Sequence, residues 1–168
     1  MNPVTAFDDW MIAQHQKVAD RAYSRWEDVS PYWIAAQLFG LVAVLAILRI
    51  GYAFTSGENP SIFGISIYVL MPMALYSRAM LAHEIWRRAK DAVPQQTPIA
   101  DMLLRFLFLY LTAKAAWTIY QATNIDLTTS AVIITVLGSA ATTGQYFLAC
   151  KPPTFVDRRK HILAPQAT

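Results

Sequence analysis

Cysteine is almost absent from this sequence, and charge is scarce over most of its length. The lone Cys150 excludes an intrachain disulfide and any metal site built on paired thiolates. Charged residues make up only 15% of the chain and hydrophobic ones 55%, whereas soluble domains carry about a quarter charged residues. Lys and Arg form no patch interleaved with aromatics, so the footprint of a nucleic-acid binder is missing. His83-Glu84 lacks the second histidine of a zinc-binding helix, and Gly51, Gly57 and Gly64 are too scattered to cradle a phosphate. Ser66 and Ser139 have no base placed to activate them. The start, with Phe7, Asp8, Asp9 and Trp10, does not follow the basic-then-apolar order of a signal peptide. These absences point to no catalytic residue, no metal and no cofactor, and lean against an enzyme.

What is present is apolar sequence in long runs. Four stand out, over about residues 32–55, 62–82, 102–122 and 129–150. Each is about 20 residues or slightly more, enough at about 1.5 Å per residue to cross a hydrocarbon core of roughly 30 Å. Ser30-Pro31 and Thr97-Pro98 each read as an N-cap followed by proline at the first helical position. The segment from Gly57 to Pro60 reads as a tight turn, and Pro152 and Pro153 follow the last run. The expected fold is therefore an all-α membrane protein, a four-transmembrane-helix bundle.

Sidedness follows from the basic residues outside the runs. Lys17, Arg21 and Arg25 precede the first run; Arg87, Arg88 and Lys90 lie between the second and third; Lys151, Arg158, Arg159 and Lys160 follow the fourth. The two remaining links, 56–61 and 123–128, contain none. This alternation predicts both termini on the cytoplasmic side. With such short links it also suggests a bacterial inner membrane.

Before the first run, Phe7, Trp10, Met11, Val18, Ala22 and Trp26 recur at helical spacing, with most charges on other faces. That pattern predicts an amphipathic helix lying in the membrane interface. The chain divides into this surface helix (1–30), the spanning bundle (31–150) and a basic tail (151–168). The second helix is expected to run past the membrane and stop near Val93, before Pro94.

Four basic residues fall inside the runs, where each is costly, about 2.5–3.5 kcal/mol at mid-membrane. Arg78 and Arg105 lie near cytoplasmic ends and read as headgroup anchors. Arg49, deeper in the first run, is expected to pair at the outer rim with Glu58 or Asp126. Lys114 is different. It lies near the middle of the third run, beyond the reach of snorkelling, with no acidic residue at its depth. Tyr110, Thr118 and Gln121 share its helical face, and Thr135, Ser139 and Thr142 form a stripe on the fourth helix. Together they form a candidate polar seam. Small residues at i, i+4, Ala36 with Gly40 and Ala140 with Gly144, mark sites of close helix packing.

The functional expectation is a non-enzymatic integral membrane component. Its partners would be the bilayer and either further copies of itself or the other subunits of a larger membrane complex. The alternative is an oligomeric pore, such as a channel, transporter or holin-like protein, conducting along the polar seam.

Overall fold

The computed structural model describes residues 3–26, 28–55, 57, 61–89, 98–121 and 125–152. These are all-helical, with no strand among them. Five helices follow in order: α1 (Pro3–Arg25), α2 (Pro31–Thr55), α3 (Ile62–Ala89), α4 (Pro98–Gln121) and α5 (Ile125–Ala149). Three of them contain stretches long and apolar enough to cross a membrane, Pro31–Thr55, Ile99–Gln121 and Val132–Ala149.

The proline signals place two starts. Pro31 and Pro98 are the first residues of α2 and α4, where a missing N–H leaves no intrahelical bond unmade. The Ser30 hydroxyl caps α2 by accepting the Trp33 N–H at 3.1 Å. Gly57, beyond the end of α2, has φ +79°, a conformation open to glycine without strain. α3 continues through Pro72 without a break. The expected extension of α3 reaches Ala89; its predicted end near Val93 lies outside the described residues.

The packing is uneven along the bundle axis. α2 lies against both α3 and α5, α5 against α4, and α1 against α5 and α2, whereas among the described residues α3 and α4 share no extended contact. The long helices thus form an arc, α3–α2–α5–α4, open between its two ends. Most of the core collects at the end that carries α1, the starts of α2 and α4 and the finishes of α3 and α5. There Tyr32, Phe39 and Trp86 are buried among Ala35, Ala36, Ala79 and Ala82, whose short side chains let the backbones approach. A second, smaller cluster, Val42, Leu137 and Ala141, lies farther along.

The small-residue positions pack inside the chain. Ala36 is buried in the main core, and Gly40 faces the Tyr76 ring of α3, which an added Cβ would meet at ordinary contact distance. Ala140 packs on the second cluster. Gly144 lies flat against Phe39, where a Cβ would come within 2.9 Å of the ring.

Candidate functional site

Between the ends of the arc lies a cavity of about 430 Å³, lined by side chains of all four long helices. Phe39, Val42 and Ala46 come from α2, and Leu137, Gly138 and Ala141 from α5. α3 contributes Met71, Pro72 and Leu75; α4 contributes Leu111, Lys114, Ala115 and Thr118. One cation, Lys114, stands in this apolar lining. Its carbonyl accepts the Thr118 hydroxyl at 3.0 Å, while its ammonium forms no ion pair or hydrogen bond with any described residue.

Charged side chains pair nearer the α1 end of the bundle. Arg78 of α3 donates two hydrogen bonds to Asp101 of α4, at 2.7 and 2.8 Å. This fork-to-fork contact is the main polar tie across the open edge of the arc. The expectation that Arg105 anchors to headgroups is corrected, since its guanidinium is buried against a carboxylate, whereas Arg78 pairs with Asp101 and keeps its side chain 41% exposed. Arg105 is fully buried, donating to Asp8 of α1 from Nε at 2.9 Å and from its terminal nitrogen to the other oxygen. Its guanidinium also lies 5.7 Å from the centroid of the Tyr146 ring, which stacks on His15 at 5.1 Å. Sequence spacing could not reveal a pair 97 positions apart.

α1 is thereby fixed against the bundle by a narrow stripe. At about 100° per residue, Asp8, Ile12, His15, Ala19 and Tyr23 lie within about 80° of one another. Contacts to α4, α5 and the segment beyond come from this stripe or its edge, among them Asp8 to Arg105, Ile12 to Cys150, His15 to Tyr146 and Phe147, and Gln16 to Lys151. Phe7, Trp10 and Val18 stay exposed on a second face. Asp9, Ala13 and Asp20 are exposed on a third. The sequence pattern captured the apolar second face and missed the stripe that holds the helix, because that stripe mixes Asp, His and Ala.

A second buried polar contact ties α2 to α3. Ser30 Oγ lies 2.8 Å from His83 Nδ1. The Ser30 hydroxyl thus serves both the Trp33 amide and the imidazole. Burial pushes the His83 pKa below its ordinary value; Arg87 adds to this, and Glu84 and Asp28 partly offset it.

The residues of the expected polar seam are divided among several surroundings. Lys114 and Thr118 share the cavity. Tyr110 and Gln121 are exposed on α4 and are not part of the cavity lining. On α5, Ser139 is exposed and Thr135 half-buried, and neither is part of the cavity lining. Thr142 is buried and donates to the Gly138 carbonyl at 2.7 Å. Thr112, Thr118 and Thr142 all return their hydroxyl to the carbonyl four residues back, which satisfies them within their own helices. Arg49 lies 5.9 Å from the centroid of the Tyr52 ring. Its expected partner Glu58 lies outside the described residues, as does the side chain of Asp126. No group of three or more His, Cys, Asp or Glu suited to a metal occurs among the described residues.

No protein-family model, curated protein or solved structure matches the chain.

Proposed function

We propose that this chain is a non-enzymatic, four-span integral membrane component that acts by assembling with other membrane subunits through the open edge between α3 and α4. The observation that carries this reading is Lys114, set midway along α4 in an apolar cavity at that edge, with no described partner for its charge. A bundle complete in itself would bury or pair such a group, because an unpaired ammonium at mid-membrane is costly.

In this reading α3 is the fourth span. It has 28 residues, about 42 Å at 1.5 Å per residue. An even number of crossings puts both termini on one side, and the distribution of Lys and Arg makes that side cytoplasmic. α1 then lies at the cytoplasmic interface of what the compact, strongly sided layout suggests is a bacterial inner membrane. Its stripe grips the bundle, Phe7, Trp10 and Val18 enter the headgroup region, and Asp9 and Asp20 face water.

Native mass spectrometry of the protein, extracted in mild detergent from its own host, tests the proposal. A complex of defined stoichiometry with other membrane proteins supports it, and a clean monomer contradicts it. The second reading, a pore, is favoured by the shared cavity of Lys114 and Thr118. A homo-oligomer in which a cysteine at position 118 reacts with water-soluble reagents would replace the assembly reading with that one.

A further inference from the structure

We infer that the occupant of the α3–α4 edge is a membrane-spanning helix of a different protein, carrying a carboxylate at the level of Lys114. This rests on the assembly reading above and names its partner by chemistry.

Charge comes first. The packing of Gly138 on Thr112 sets α4 and α5 in register. Lys114 therefore lies level with about residue 136 of α5, and Asp126 is about 15 Å farther toward the other end of the bundle. In the opposite direction Asp101 is about 20 Å away along α4 and is already held by Arg78. Glu58 comes after the end of α2 at Thr55. A lysine side chain reaches about 6 Å, so none of these acids meets it. The same distances apply to a second copy inserted in the same orientation. Self-assembly thus cannot neutralise Lys114, and a foreign chain can.

Shape comes second. Leu103, Leu107, Tyr110, Lys114, Trp117 and Gln121 follow one another at alternating steps of four and three along an exposed face of α4 that borders the cavity at Lys114, the one member that also lines it. This is the spacing with which one helix packs along another at a shallow crossing angle. Lys114 sits within that seam, where a single polar group fixes register. Lipid chains would accept the apolar members of the seam and leave the ammonium without a counter-charge. A partner helix with one Asp or Glu satisfies both.

The test compares complexes isolated from host membranes by native mass spectrometry for the wild type, Lys114→Arg, Lys114→Leu and Lys114→Asp. Recovered partner should change little for Lys114→Arg and fall about tenfold or more for Lys114→Leu and Lys114→Asp. The partner should carry a carboxylate near the middle of a span. Exchanging that carboxylate for lysine should restore the complex with Lys114→Asp, which also rules out misfolding as the cause of its loss. Full recovery with Lys114→Leu, or a partner without an intramembrane acid, would overturn the carboxylate pairing while leaving assembly intact. Release of a small anionic amphiphile that Lys114→Leu no longer retains would overturn the partner helix. A monomeric wild type would defeat the assembly reading itself.

Discussion

Asp8, in the second turn of α1, receives both forks of the Arg105 guanidinium on α4, and the two side chains are only 6% and 7% exposed. Removing one partner from such a pair leaves a buried charge without compensation, which costs about 3–5 kcal/mol. Asp8→Ala and Arg105→Ala are each expected to lower the Tm in detergent sharply and to make α1 sensitive to protease. The double replacement Asp8→Leu with Arg105→Met should recover most of the loss, because no charge then remains buried. Equal losses in the single and double variants would show that packing, and not charge pairing, holds α1.

Acid should weaken the junction between α2 and α3. With its folded pKa lowered by burial, His83 takes up a proton less readily in the folded protein than in the unfolded chain. Its contribution is fully retained above the unfolded value of about 6.5 and is lost as pH falls toward the lower folded value. Thermal unfolding between pH 8 and pH 5 should show this decline, and His83→Gln should flatten it. An unchanged slope in that variant would place the titrating group elsewhere.

Two glycines separate close packing from helix propensity. At Gly144 a methyl group meets the buried Phe39 ring at 2.9 Å, so Gly144→Ala should destabilise by about 1–3 kcal/mol. At Gly51 nothing lies within 4 Å, and Gly51→Ala should be neutral or stabilise by up to about 1 kcal/mol. Detergent unfolding of both variants measures the contrast. Similar effects at the two sites would contradict the α2–α5 packing.

The three faces of α1 predict three environments. A nitroxide at position 18, replacing Val18, should be accessible to oxygen dissolved in the bilayer. One at position 13, replacing Ala13, should be accessible to a water-soluble nickel complex. The same accessibility at both positions would exclude an interfacial α1.

Much of this architecture is legible in the residues themselves. Run length and the Ser30-Pro31 and Thr97-Pro98 signals locate α2 and α4 closely, because helix starts depend on local chemistry. Lys114 stands out from its depth alone, and the cavity places it where an unpaired charge has consequences. The ion pairs of Arg78 and Arg105 were less visible. Near a membrane boundary, an arginine bound to headgroups and one bound to a carboxylate have the same sequence signature, and only the positions of α1 and α4 in space distinguish them. The α5 hydroxyls also looked like the wall of a seam. A threonine bonded to its own helix leaves the same spacing as one bonded across a channel.

The most direct test is site-specific photo-crosslinking in intact host membranes, with the reactive residue replacing Leu107 on the exposed seam of α4 or Leu48 on the exposed side of α2 away from the cavity. Assembly through the α3–α4 edge predicts one discrete protein adduct from position 107 and lipid adducts alone from position 48. Lipid adducts alone from both positions, or the same protein adduct from both, would contradict it.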